Sequence, residues 1–191
     1  CNFKNLKNSI NSFQPDIIFH LAAETHVDRS IEDPLSFINT NITGTYNLLE
    51  ASRTYWYNLT SNKKKKFKLI HISTDEVYGD LGDTNKFFNE FSPYKPSSPY
   101  SASKASQDLI ARSFNTTYKT DIRVINLSNN YGPYQFPEKF IPTLIFHFLK
   151  NRPAPIYGRG ENIREWTHVE DSSKAILKKL ISDKKFFNIN I

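Results

Sequence analysis

The segment FKLIHISTDEVYGD, Phe67 to Asp80, makes two separate statements about this chain. Its first half is a short, near-continuous apolar run, the pattern of a buried strand of the kind found in parallel sheets. Its second half sets two carboxylates, Asp75 and Glu76, side by side. Neighbours on an extended strand point to opposite faces. For both acids to serve one site, the chain has to turn at Ser73–Thr74. A hydroxyl followed by two acids at the end of a buried strand is the feature to explain.

Similar runs lie on both sides. DIIFHLA (Asp16–Ala22) reads as a strand buried on both faces, IRVINLS (Ile122–Ser128) as a further strand, and FFNINI as a last one. Helical patterns separate them. Asp33–Pro34 supplies a cap and a first-turn proline, and Leu35, Ile38, Ile42 and Leu49 carry the helical spacing to Trp56. Ser98–Pro99 opens a helix that runs to Tyr118, the lysine run Lys63–Lys66 reads as a solvated loop, FIPTLIFHFLK reads as a helix, and Asp171–Ile181 is the last helix. Strands alternating with helices predict an α/β fold with a doubly wound parallel sheet, Rossmann-like. No internal repeat is present.

Composition narrows the function classes. The 191 residues suffice for one sizeable core. With 38% hydrophobic residues and no long apolar run, no membrane span is expected. The single cysteine, Cys1, fits a reducing compartment, and without a visible leader the expected location is the cytoplasm. The net charge of +6 invites a nucleic-acid reading, but much of the excess sits in the lysine run and no recognition motif accompanies it. The sequons at Asn41, Asn58 and Asn115 read as chance matches. His20, His71 and His168 have no metal-ligand spacing, so they are read as structural and no metal is expected.

A second constellation lies in SSPYSASKASQDLIARSF, Ser97 to Phe114. Tyr100 and Lys104 are four apart and share one helical face, with Ala102, Ala105, Leu109 and Phe114 as apolar contacts for other faces. A phenol titrates near 10, so acting as a base near neutrality demands a change of roughly 4 kcal/mol. An exposed ion pair contributes about 0–1 kcal/mol, far too little. A nearby lysine together with a cationic nicotinamide ring in a closed site could supply it, so this pair requires a cofactor.

The segments HLAAETHVDRSI, FINTNITGTYNLLEASR, HISTDEVYGDL, PSSPYSASKAS, NLSNNYGPYQFPEKFIP, PIYGRGENIREWTHVEDS and FNINI together resemble the extended branch of the short-chain dehydrogenase/reductase superfamily. Within that branch of nucleotide-sugar-modifying enzymes the chain is similar to the dTDP-glucose 4,6-dehydratases. The resemblance covers nearly the whole chain except 58–67 and 84–94. It implies NAD as cofactor, a nucleotide-sugar substrate and a homodimer, with no nucleic-acid or membrane partner. Measured against that family, none of the six glycines forms the phosphate-binding G-x-G-x-x-G or G-x-x-G-x-x-G turn. The expectation is therefore a fold entered after its first βαβ unit. Residues 1–130 would form a partial NAD-binding domain. Residues 131–191 would be a mixed region, with part of the sugar-nucleotide domain and a strand returning to the main sheet.

Residue by residue, the resemblance assigns catalysis to Thr74, Asp75, Glu76, Tyr100 and Lys104. Thr74 would orient the sugar and Tyr100 would take the C4 hydroxyl proton. Glu76 would remove the C5 proton while Asp75 protonates the departing C6 hydroxyl. The family's cofactor contacts fall on Leu21, Ala22, Ala23, Thr25, Thr40, Tyr100, Lys104 and Asn130. Its substrate contacts fall on Thr25, Thr74, Asn129, Lys139, Phe140, Pro155, Tyr157 and Arg164. Thr25 stands where relatives usually have Ser, and Phe140 where they commonly have Leu. Alternatives remain open: the same dehydration of UDP-glucose, or a chain that keeps the fold without binding cofactor and is inactive alone.

Overall fold

The computed structural model describes residues 2–82, 87–156, 159–161, 163–181 and 187–191, the side chain of Ile181 excepted. In chain order the elements are α1 (Phe3–Phe13), β1 (Ile17–His20), α2 (Val27–Glu32), α3 (Pro34–Phe37), a π-helical segment (Ile38–Thr43), α4 (Gly44–Tyr57) and α5 (Ser61–Lys66). Then follow β2 (Lys68–Thr74), a 3₁₀ turn (Asp75–Tyr78), α6 (Pro99–Tyr118), β3 (Ile122–Leu127), β4 (Asn129–Tyr131), α7 (Phe140–Leu149), β5 (Trp166–His168), α8 (Val169–Ile181) and β6 (Asn188–Asn190). The chain divides into two compact units, 1–127 with 185–191, and 128–184.

The first unit holds a parallel sheet in the order β1-β2-β3-β6. Register sets Leu69 beside Ile122, His71 beside Val124 and Ser73 beside Asn126. Because side chains alternate, these six residues share one face. That face changes character along its length, from apolar at Leu69–Ile122 to polar at Ser73–Asn126. Leu69, Ile122 and Val124 form the core with Ile10, Leu49, Ala51, Tyr55, Phe67, Ala111 and Phe114.

Helix α6 starts sharply for local reasons. Pro99 fills the first helical position, and Ser98 and Ser101 cap each other, Ser101 N donating to Ser98 Oγ at 3.1 Å and Ser98 N to Ser101 Oγ at 3.0 Å. The orphan N–H of Tyr100 finds Ser30 Oγ of α2 at 3.1 Å. After the 3₁₀ turn the chain comes back against itself, with Lys95 N donating to Val77 O at 3.0 Å. Gly79 makes this possible: its φ is +88°, and a Cβ there would collide with the Lys95 carbonyl.

Three expectations change. The strand DIIFHLA shortens to Ile17–His20 and lies at the sheet edge among the described residues, with Ile17 and Phe19 exposed, so its apolar run is not covered on both faces. The lysine run is helical rather than a loop, because Phe67 is buried behind it and its N–H bonds back to Lys63 O at 3.0 Å. Lys64 also lies over the Trp56 ring at 5.0 Å. Ala102 and Leu109 are exposed, so they add nothing to the core.

In the second unit β4 and β5 pair in parallel, Asn129 beside Trp166 and Tyr131 beside His168. Phe140 stacks on Trp166 at 6.1 Å between ring centroids. Among the described residues no helix is long and apolar enough to cross a membrane.

Candidate active site

Strand β2 ends where the sequence demanded a turn. Thr74 is extended, and its Oγ1 accepts from Glu76 N at 3.2 Å, capping the 3₁₀ turn that carries Asp75 and Glu76. The same hydroxyl donates to Asp75 Oδ1 at 3.2 Å. Both acids are half-buried. The turn thus converts two residues that an extended strand would separate into neighbours of one hydroxyl.

Tyr100 comes to the same place from α6. Its ring is 8% exposed and packs edge-on against Phe37 at 6.4 Å. Burial, followed by the charge of Glu76, pushes the phenol above its ordinary range, while a hydrogen bond with Thr74 acts the other way. Thr74 has one proton to give and two anion-forming neighbours, Asp75 and Tyr100. Lys104, one turn on, is 4% exposed. Its Nζ donates to Ile72 O at 2.8 Å, and burial lowers its pKa to about 8 while the Asp108 carboxylate pulls the other way. Two of the three ammonium donors are left for acceptors outside this bond.

The segment after β1 is held against α6 by a residue that sequence reasoning missed. Asn41, fully buried in the π-helical segment, accepts from Glu24 N at 2.8 Å and donates to Glu24 O at 3.0 Å and to Ser103 Oγ at 2.8 Å. Its carbonyl accepts from Gln107 Nε2 at 2.7 Å. Burial and these bonds also dispose of the Asn41 sequon. Leu21, Ala22 and Thr25 lie exposed in the segment pinned this way, Ala23 is half-buried, and Thr40 is half-buried beside Asn41. The pairing was hidden because Asn41 lies 17 residues from Glu24 and 62 from Ser103.

Beneath the site, His20 Nε2 lies 2.8 Å from Thr45 Oγ1, and its ring is 5.1 Å from that of His71. Burial first, then the neighbouring His71, lowers the His20 pKa to about 3, and burial lowers that of His71 as well. Both rings are neutral at pH 7.

The other assigned residues belong to the second unit. Asn129 Oδ1 is buried without a hydrogen-bond partner among the described residues. Asn130 Nδ2 donates to Ser128 O at 2.9 Å, and its carbonyl accepts from Gln135 Nε2 at 2.9 Å. Lys139 precedes α7, Phe140 opens it, and Pro155 and Arg164 are exposed. Tyr157 lies outside the described residues. Among the described residues no cluster of His, Cys, Asp and Glu could hold a metal ion.

The chain is similar to known proteins in both sequence and fold. A profile of the family described as GDP-mannose 4,6 dehydratase matches residues 1–190. The dTDP-glucose 4,6-dehydratase of Neisseria meningitidis serogroup B is 53% identical over 176 residues, 92% of this chain and 50% of the relative. The chain spans about half the length of the curated relatives it matches. Among solved structures, the dTDP-glucose 4,6-dehydratase DesIV of Streptomyces venezuelae, with NAD and dTDP bound, superposes with a TM-score of 0.86 at 38% identity, over 99% of this chain and 55% of that one. A UDP-glucuronic acid 4-epimerase from Bacillus cereus, with UDP-glucuronic acid and NAD, also reaches 0.86 but at 28% identity, over 100% and 58%.

Proposed function

The chain belongs to the GDP-mannose 4,6 dehydratase family, and from that premise we propose that the protein is a nucleotide-sugar 4,6-dehydratase acting on dTDP-glucose with NAD. The observation that carries the reading is the turn after β2, where the Thr74 hydroxyl accepts from Glu76 N and donates to Asp75 Oδ1 while the charges of both acids bear on Tyr100. Backbone likeness alone does not separate this reading from an epimerase, since both solved relatives superpose equally well. The acid pair does: elimination across C5 and C6 needs a base and an acid at adjacent carbons, and epimerisation at C4 does not.

Tyr100 takes the C4 hydroxyl proton as that carbon becomes a ketone, with Thr74 holding the sugar hydroxyl. Glu76 removes the C5 proton, which the neighbouring ketone has made acidic. Asp75 passes its proton to the C6 hydroxyl, which leaves as water. NAD, when bound, supplies the acceptor for the C4 hydride and its return to C6, so no reduced cofactor is left over. The residues present fit that cofactor: Lys104 offers two unused buried donors to a ribose diol, and Leu21–Thr25 with Thr40 and Asn130 supply further contacts. Asn129, Lys139, Phe140, Pro155, Tyr157 and Arg164 bind the nucleotide part of the substrate in this reading. The enzyme works in the cytoplasm as a homodimer, a reading supported by the single cysteine and by exposed Leu35, Ile38, Tyr46 and Leu109 on the first unit.

Single-turnover absorbance at the reduced-nicotinamide band tests the division of labour. Asp75→Asn and Glu76→Gln should each still oxidise C4 and accumulate NADH, because elimination slows by about 10²–10⁴-fold. Either mutant forming no NADH while binding both ligands, or turning over at the parent rate, would overturn the roles. Faster turnover of UDP-glucose than of dTDP-glucose would overturn the base.

A further inference from the structure

The buried face of α6 carries one charged group for which the dehydration has no use. Asp108 follows Lys104 by one helical turn and is 1% exposed. Its Oδ2 accepts from Ser73 Oγ of β2 at 2.8 Å, from Tyr94 OH in the segment before α6 at 3.0 Å, and from Asn126 Nδ2 of β3 at 3.3 Å. Asn126 Nδ2 also holds Thr74 O at 3.1 Å. Asp108 Oδ1 lies 3.2 Å from His71 Nε2, a close approach without hydrogen-bond alignment.

A neutral amide could accept these bonds, and burying a carboxylate is expensive. What the charge adds is a field on its neighbours, so the question is which neighbour needs one. His20 of β1 and His71 of β2 are neutral, and Tyr78 and Tyr94 are held protonated by burial. Asp28, Arg29, Glu32 and Asp33, around α2 and α3, are exposed. Glu50 and Arg53 of α4 pair with each other, and Arg123 of β3 pairs with Asp121. Asp75 and Glu76 face Tyr100, and Asp108 also bears on that phenol. Lys104 is left as the buried cation, and Asp108 is the charge that offsets its burial.

We propose that Asp108 is a positioning residue for the proton transfer: its carboxylate is the fixed counter-charge that keeps Lys104 an ammonium ion, and through Ser73 and Asn126 it sets the strand end presenting Thr74. The proposal rests on the reading of Tyr100 and Lys104 as the acid–base pair.

The test compares Asp108→Asn, Asp108→Glu and Tyr94→Phe in the active enzyme, using ¹³C-labelled lysine NMR without substrate and the pH profile of C4 oxidation. Asp108→Asn should lower the Lys104 titration midpoint by roughly one to three pH units, the effect of losing a nearby opposite charge. Both limbs of the pH profile should move to lower pH, since Asp108 holds up Tyr100 as well as Lys104. Asp108→Glu and Tyr94→Phe, which keep the charge, should leave the limbs in place. A uniform rate loss with unmoved limbs and an unmoved lysine midpoint would reduce Asp108 to a structural staple and overturn the proposal. If Asp108→Asn does not fold, adding Lys104→Met should restore folding by removing the uncompensated cation; a pair that stays unfolded would also overturn it. A parent enzyme that does not dehydrate the sugar defeats the functional reading alone, because the lysine titration still decides the role of Asp108.

Discussion

The two ends of α6 rest on the same pair of strands and bury opposite kinds of side chain. Toward its C-terminus, Ala111 and Phe114 join Leu69 and Ile122 in the core, where contact is apolar and non-directional. Toward its N-terminus, Tyr100, Lys104 and Asp108 meet Thr74, Ile72 O and Ser73 through hydrogen bonds and charge. Between them His20 and His71 form a neutral seam. One end supplies the stability that the other consumes by holding ionisable groups away from water.

The largest expected effect breaks the polar end in activity while sparing the fold. Tyr100→Phe should lower C4 oxidation by about 10²–10⁴-fold and change unfolding stability by less than about 1 kcal/mol, since the ring is kept. Single-turnover kinetics and urea unfolding of the same sample check both halves. Leu69→Ala at the apolar end should do the reverse, costing about 2–5 kcal/mol of stability with turnover per folded molecule unchanged.

The seam should respond to acid. His20 has a folded pKa near 3 against 6.5 unfolded. Above 6.5 it is neutral in both states and contributes nothing to pH dependence. As pH falls below 6.5 the unfolded chain takes up the proton first, so stability is lost. Urea midpoints should show a decline of roughly 2–3 kcal/mol between pH 6.5 and 4.5 from this group, and His20→Gln should flatten it.

The smallest effect sharpens the contrast. Lys104 has its folded pKa lowered to about 8 from 10.5. Its ammonium form is therefore disfavoured in the fold, and stability should rise with pH between those two values as the native state alone releases the proton. Lys104→Met, which keeps the stem without the charge, should remove that rise and abolish C4 oxidation. Thermal unfolding at pH 7 and pH 9.5 measures the first.

Much of the fold was legible because its signals are local. The strands at β2 and β3, the start of α6 at Ser98–Pro99 and the turn forced on Asp75–Glu76 all follow from runs, caps and spacing within a few residues. The Tyr100–Lys104 face was legible for the same reason, since four residues along a helix return to one side. The lysine run misled because charge favours solvent in a loop and a helix alike, and buried Phe67 decided between them.

What the sequence by itself determined was which residues share a face; what those faces meet was decided only in three dimensions. Asp108 reads as one polar residue in a helix until the β2–β3 register sets Ser73 beside Asn126 and both reach its carboxylate. Asn41 reads as an ordinary helical asparagine until its amide bridges Glu24 and Ser103. Strand β1, half-exposed and at the sheet edge among the described residues, could not be told from a covered one, because an apolar run records what a strand tolerates and not which neighbour covers it. Periodicity is a property of the local backbone, whereas a buried polar group takes its partner from whichever segment the packed sheet and helices bring within hydrogen-bond distance.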